Sequence, residues 1–469
     1  MEMPQTSELG RTGKNWLLIV GLALAAALFF IWPIPRTTSL RDLLLVVCLG
    51  LFAYLAYRSS RRAPIRWQSL RVPFGLYLVL SVWIVFVAIA ISEETAWSLN
   101  EIRGQWLKAT IALVAGGLLG AAIRHDDNTL RLTLTIIGIA LLLHVLYVAY
   151  QAYQALLDFV ATLSVWPQQK VLLTRVVGLT GGSDKSNYLT NMLLYFLLAE
   201  IFIRSVFHRR FLPVGNIPLT VITVVALFAV YVEAMRNGIA ELAIVLGVAV
   251  ILVMRESDRA RRLVIAGIAF ALVVIALTQS YLNVDKDERW QTFLETVPIA
   301  MDIENKAWIN QALPQPRLAN GQTVDWSNYM RIARMRAGLS LMADYPLGVG
   351  FGRNAFGHAV EKKYGMRTSH SHSGIIDLGA GIGVPGVLLW LGFLGVLLRL
   401  GYRGLCQSHS FPALALLFLT AGYSFRMLVD STIRDHMLQM FLFLAAFLAV
   451  IVAGQLHGQQ RETSAPASA

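Results

Sequence analysis

Runs of apolar residues long enough to cross a bilayer recur along nearly the whole chain, joined by short polar stretches. A crossing needs roughly 17 to 25 such residues. By that rule about twelve runs qualify, at 15–33, 40–57, 72–91, 105–123, 131–152, 188–207, 217–234, 238–254, 262–281, 373–400, 411–429 and 436–454. The pattern predicts an all-α integral membrane protein. One long polar stretch, Leu282 to His372, breaks it. There Ile332, Met335, Leu339 and Met342 recur at helical spacing. They predict a helix over Asn328–Tyr345 with those residues on one face and Arg331, Arg334 and Gly338 on a neighbouring one. The chain then divides into nine membrane helices over 1–281, a cap of short helices carrying active-site residues over 282–372, three helices over 373–454, and a disordered tail over 455–469.

Composition supports the membrane reading and adds an orientation. Of 469 residues 56% are apolar and 14% charged, against roughly a quarter charged in soluble proteins. The net charge of +12 reads as basic cytoplasmic loops, and nucleic-acid binding is the poorer explanation. The basic clusters are Arg58 to Arg71, Arg124 to Arg131, Arg204 to Arg210, Arg255 to Arg262, and Arg399 with Arg403. If every run spans, all of them share the side of the N-terminus, and Glu93, Glu94 and Glu101 lie opposite. Both termini are therefore expected in the cytoplasm, with 282–372 outside, which in a Gram-negative cell means the periplasm. The run 15–33 is longer than a signal-peptide core and reads as a retained helix. Cys48 and Cys406 cannot build a disulfide framework or a cysteine metal site.

Candidate chemistry gathers where polar stretches enter these runs. His370-Ser-His372-Ser leads into the run 373–400, ahead of the stretch holding Gly383, Pro385 and Gly386, where small residues admit a close backbone. On a helix the two histidines would point about 200° apart. On an extended segment they share a face and could take a metal, with His358 and Glu361 the nearest third ligands in sequence. A pair of loop histidines without a role is the plainer reading.

Arg236 has almost no aqueous loop around it, and an arginine so placed needs a partner. Glu233 is one candidate and an anionic headgroup the other. Arg175 opens a glycine-rich stretch ending at Asn187. Its amides and the following helix start suit phosphate oxygens, although it matches no nucleotide fingerprint and a headgroup arginine fits equally. Arginines offer planar forks to a diphosphate, and histidine can take a hydroxyl proton near neutral pH. Together they suit a lipid-diphosphate sugar donor, with no metal and no nucleotide cofactor expected.

His372-Ser373, nine residues, then Gly383-Val-Pro-Gly386 resembles the signature of the O-antigen ligase family, His-[Asn/Ser/Gln]-x9-Gly-x-x-[Gly/Thr/Tyr]. His370 does not fit that spacing. Pro346-Leu-Gly-Val-Gly350 resembles the Pro-Leu-Gly-x-Gly stretch ahead of the family's histidine. Arg331 stands where the preceding helix often carries an arginine. Met235-Arg-Asn-Gly238 is similar to a Ser-Arg-Gly segment, with Met for Ser and an inserted Asn. Arg175-x-x-Gly178 with Asn187 resembles an arginine-glycine-asparagine stretch.

The resemblance implies a metal-independent, inverting glycosyltransferase that moves O-antigen from undecaprenyl diphosphate to a sugar hydroxyl of the lipid A core. It implies His372 as the base and Arg175 and Arg236 on the donor diphosphate. Arg331, Asn187, Lys185 and Arg353 are secondary candidates. O-antigen polymerases and protein O-oligosaccharyltransferases share the superfamily, and a single large loop favours a ligase. A lipid-linked sugar transporter is the alternative outside enzymes. It should show internal repeats and broken helices near the midplane, and no repeat is evident.

Overall fold

The computed structural model of the chain describes residues 8–61, 68–162, 176–233, 235–256, 288–310 and 312–464. Its membrane-type helices are α1 (Glu8–Ile31), α2 (Thr38–Ser60), α3 (Arg71–Phe86), α4 (Thr95–Glu101), α5 (Leu107–Ile123), α6 (Asp127–Thr162), α7 (Ser183–Phe207), α8 (Asn216–Glu233) and α9 (Arg236–Glu256). The polar stretch holds α10 (Glu288–Met301), α11 (Trp326–Asp344) and α12 (Ala355–Tyr364), and α13 (Gly374–Ser408), α14 (Phe411–Val429) and α15 (Asp435–Ser464) follow. Every predicted run except 262–281, which lies outside the described residues, coincides with one of these helices. Ten spans among the described residues are long and apolar enough to cross a membrane, and the apolar part of α1, Trp16–Ile31, is shorter. The tail expected to be disordered from 455 is helical as far as Ser464.

The long helices share one core, with α15 deeply enclosed and packed along α5. In lipid the apolar side chains themselves give little drive to associate, because acyl chains are equally apolar. Close packing and polar contacts decide which helices meet. The polar stretch has a second core around Trp308, Tyr329, Ala333, Phe356 and Val360, which closes on Ile376 and Ala380 of α13.

The predicted helix is α11. Asp325 caps it, accepting from the N–H groups of Ser327 and Asn328 at 3.1 and 3.3 Å. Its buried face is not the apolar one expected. Ala333, Arg334, Ala337 and Gly338 turn inward, while Met335 and Leu339 are exposed. Small residues let α11 lie close to α13, where a Cβ on Gly338 would overlap Ile376. Close approach wins over side-chain hydrophobicity here.

The break in α13 explains the glycine motif. Gly383 has φ +69° and ψ −177° inside the helix, and two residues on Pro385 has no N–H to donate. The carbonyls of 380 to 382 thereby lose their helical donors. Val349 N–H replaces one at Ala380 O (3.0 Å) and Gly350 N–H another at Gly381 O (2.9 Å). The Trp83 indole donates to Ile382 O at 2.8 Å, and the freed Val384 N–H goes to Pro346 O at 2.9 Å. A Cβ at Gly383 would strike Pro346 and Leu347. The close backbone expected at these glycines is therefore the chain's own Pro346–Gly350 segment.

The far side of that segment rests on α4. Wide π turns at Val87–Ile91 and Ile102–Trp106 flank this short helix and re-aim it. Ser98 Oγ donates to Phe351 O at 3.1 Å. Arg353 holds Glu101 through Nε and Nη2 at 3.1 and 3.2 Å, and Lys362 meets Glu93 at 2.7 Å. The acidic residues that loop charge had placed opposite the basic clusters are the seat of this basic cap.

Candidate active site

His372 sits in a turn built by its neighbours. Asp377, buried in the first turn of α13, accepts from Ser371 N–H at 2.8 Å and from Ser431 Oγ at 2.6 Å. Ser371 Oγ donates to Ser373 O at 2.9 Å, and Gly374 N–H donates to Asp430 O at 2.9 Å. These bonds hold His372 at φ +66°, a conformation that costs a non-glycine residue about 1–3 kcal/mol. Of the other non-glycine residues at positive φ among those described, His208 and His409 cap helix C-termini. Arg36, like His372, stands two residues ahead of a helix start.

Arginines surround the turn. Arg334, 4% exposed, donates to Ser369 Oγ and His370 O at 3.0 Å and to Thr368 Oγ1 at 3.1 Å, so it straps down the approach to His372. Arg331 reaches Asn237 Oδ1 at 3.4 Å, and Asn237 donates to Val429 O at 2.9 Å. That chain of contacts brings α11, the start of α9 and the end of α14 together. Arg434, in the joint between α14 and α15, has a buried Nε with no hydrogen-bond partner among the described residues.

Burial, then Arg334, Arg331 and Arg434, lowers the His372 pKa to about 4. Burial, then Arg434, His372 and Arg334, lowers that of His370 to about 3. Both imidazoles are neutral at pH 7, in a field that attracts anions. Their rings meet edge to face with centroids 4.4 Å apart. His358 and Glu361, the third ligands considered for a metal on this pair, are grouped with Glu94 instead.

The remaining sequence candidates divide. Asn187 is fully buried and acts as a joint beneath the site, donating to Glu233 Oε2 at 3.0 Å and accepting from Arg426 at 3.1 Å. A Cβ on Gly238 would overlap that side chain, which accounts for glycine just inside α9. Glu233, one of the two partners considered for Arg236, is held by Ser186 and Thr190 at 2.7 and 2.9 Å as well. Arg236 begins α9, but its side chain lies outside the described residues. So does Arg175, whose neighbour Val176 donates to Val232 O at 3.3 Å. Lys185 is half-buried in the first turn of α7. Arg353 faces α4 through Glu101. The sequence reading missed Arg434, the strap role of Arg334 and the turn-holding role of Asp377. Only Asp377 carried a signal, an acidic residue in the first turn of an otherwise apolar run.

Residues 221–391 match the family model for O-Antigen ligase. The match supports a place for the chain in the O-antigen ligase superfamily, whose members assemble lipopolysaccharide and related glycans in membranes. No curated protein matches the chain. The O-antigen ligase match takes in Arg236, Arg331, Arg334, His372 and the Pro346–Gly350 contact with Gly383. It begins after Asn187 and ends before Arg426 and Arg434, so part of what surrounds His372 lies outside it.

Proposed function

We propose that the chain is an O-antigen ligase, an inverting glycosyltransferase that moves O-antigen from undecaprenyl diphosphate to a sugar hydroxyl of the lipid A core. The observation that carries the reading is a neutral imidazole fixed among three guanidinium groups where the cap enters α13. The acceptor oxygen attacks the anomeric carbon from the face opposite the diphosphate, and the carbon–oxygen bond to the diphosphate breaks with inversion. The hydroxyl proton goes to His372, and the departing undecaprenyl diphosphate takes the bond pair. Arg331 and Arg434, with Arg175 and Arg236, stabilise its charge. The leaving group is a weak base and needs no general acid.

Lipopolysaccharide from a deletion strain tests the reaction. Loss of the O-antigen ladder with accumulation of lipid-linked polymer supports a ligase. A retained single-repeat band would make the chain a polymerase, and unmodified lipopolysaccharide with underglycosylated protein would make it a protein-glycosylating relative. A transporter is disfavoured, because the one broken helix described, α13, is filled at its break by Pro346–Gly350 instead of opening on a substrate path.

The same reading puts both termini in the cytoplasm and the cap in the periplasm. Ala319 is exposed in the cap. A cysteine there, with Cys48 and Cys406 replaced by serine, should react with a membrane-impermeant maleimide in intact cells. Reaction only after lysis would reverse the topology. Arg331→Ala and Arg434→Ala should each raise the donor KM about tenfold or more, from one charge-assisted contact of about 1.5–3 kcal/mol. Lysine at Arg175, Arg236 or Arg434 should restore only part of the activity, since the charge returns without the fork. Wild-type donor KM in both alanine variants would remove Arg331 and Arg434 from the diphosphate.

A further inference from the structure

Glu94, His358 and Glu361 converge away from the His372 turn. One ligand atom of each lies within 4.8 Å of the others, and the three line a cavity of about 310 Å³ with Glu93, Trp97 and Lys362. That is ample room for an ion with water. His358 and Glu361 are three apart on α12 and share a face. The His358 ring lies against Trp97, centroids 3.8 Å apart, with Nδ1 3.0 Å from Glu94 Oε1. Arg367 takes Oε2 of Glu361 at 2.9 Å, and no hydrogen bond occupies Oε1 among the described residues. Lys362 is drawn to Glu93 at 2.7 Å, which leaves the other two carboxylates facing His358.

We propose that Glu94, His358 and Glu361 form a zinc-class divalent cation site that clamps the cap to α4. One imidazole nitrogen with two carboxylates suits Zn²⁺ with water in the remaining position. Mg²⁺ and Ca²⁺ prefer all-oxygen shells. Ligand atoms around zinc stand roughly 3.3 Å apart, so the group must tighten. The Glu94 side chain, 55% exposed, is free to move inward.

The clamp joins segments 264 residues apart. α12 leads through Gly365 and Arg367 to the His372 turn, so an ion here would steady the approach to that turn without touching it. The site is independent of the transfer reaction proposed above and does not rest on it.

The test uses the full-length chain, purified in detergent and stripped with chelator. Titration calorimetry with Zn²⁺ should give one site per chain, and Co²⁺ should show its visible ligand-field bands. His358→Ala, and separately Glu94→Gln with Glu361→Gln, should weaken Zn²⁺ binding at least tenfold. His370→Ala and His372→Ala should leave it unchanged. Zn²⁺ should raise the Tm of wild type but not of His358→Ala, and the metal-free Tm of each variant reports whether it folds. Absence of binding, or binding that survives in both cavity variants, overturns the proposal. Binding lost instead in the His370 and His372 variants overturns it too, and moves the metal to that pair. Transfer by the stripped wild type is read separately, and its outcome bears on the reaction alone.

Discussion

Replacing His372 with alanine is expected to cut glycosyl transfer by about 10²- to 10⁴-fold, the range for loss of a general base, with donor binding close to wild type. In the proposed reaction the imidazole contacts the acceptor proton, whereas the diphosphate is met by arginines that the substitution leaves in place. His370→Ala should cost far less. His370 misses the motif spacing, and its ring packs against His372 instead of replacing it. Transfer by purified variants and retention of a labelled lipid-diphosphate analogue measure the two effects. An active His372→Ala protein would reduce the turn to a packing feature. Equal losses at both positions would give them a joint role.

The same residue fixes the pH dependence. The ordinary imidazole value is 6.5, and in the fold His372 stands at about 4, so the base form prevails at every pH above about 4. Transfer is lost as pH falls through that value, since the protonated ring cannot accept the hydroxyl proton. A bound diphosphate opposes the arginine field and raises the value again. The acid limb of kcat, which reports the bound complex, should therefore lie at higher pH than that of kcat/KM. Coincident limbs would mean that the diphosphate does not sit in the field of Arg331, Arg334 and Arg434. Stability moves in the same direction. Between about 6.5 and 4 the unfolded chain binds protons that the folded histidines refuse, so the fold weakens as pH falls through that window, and each rate needs a folding control.

The spans were legible because lipid imposes one rule, about twenty apolar residues with their backbone bonds satisfied within the segment. His372 and Gly383 were legible through a spacing whose cause is now visible: the break at Gly383 receives Pro346–Gly350, and the turn before α13 carries the histidine. The inward face of α11 was not legible. Helical periodicity finds apolar stripes, but Ala333, Ala337 and Gly338 were chosen for closeness, and Met335 and Leu339 were left outside. Arg434 was hidden because it lies in a short joint without a motif, far in sequence from His372. Glu241 and Arg426 were hidden inside apolar runs, where a lone charge has no periodicity and its partner is nearly two hundred residues away.

That last pair should have the largest effect on stability. Arg426 Nη1 meets Glu241 Oε2 at 2.7 Å with both side chains fully buried. Arg426 also donates to Asn187 Oδ1 and to Asp184 O, at 3.1 and 2.6 Å. Glu241 accepts from Asn191 at 2.9 Å and from the Tyr195 hydroxyl. The network joins α7, α9 and α14 where apolar contact offers little selectivity, and it lies directly under the start of α9. Arg426→Met leaves Glu241 as an uncompensated buried charge and should cost about 3–5 kcal/mol. Adding Glu241→Gln removes that charge and keeps an acceptor for one of Asn191 and Tyr195, which meet different oxygens of Glu241. Asp430, the second carboxylate on Arg426, stays unpaired, so the double variant should recover part of the loss. Thermal unfolding in detergent measures both. The recovered protein should still transfer poorly, with a raised donor KM, because the Arg426 hydrogen bonds that tie Asp184 and Asn187 to α14 are gone. A double variant no more stable than Arg426→Met would show that packing, not the buried charge, sets the cost. A double variant with wild-type KM would show that the network holds the helices without shaping the site.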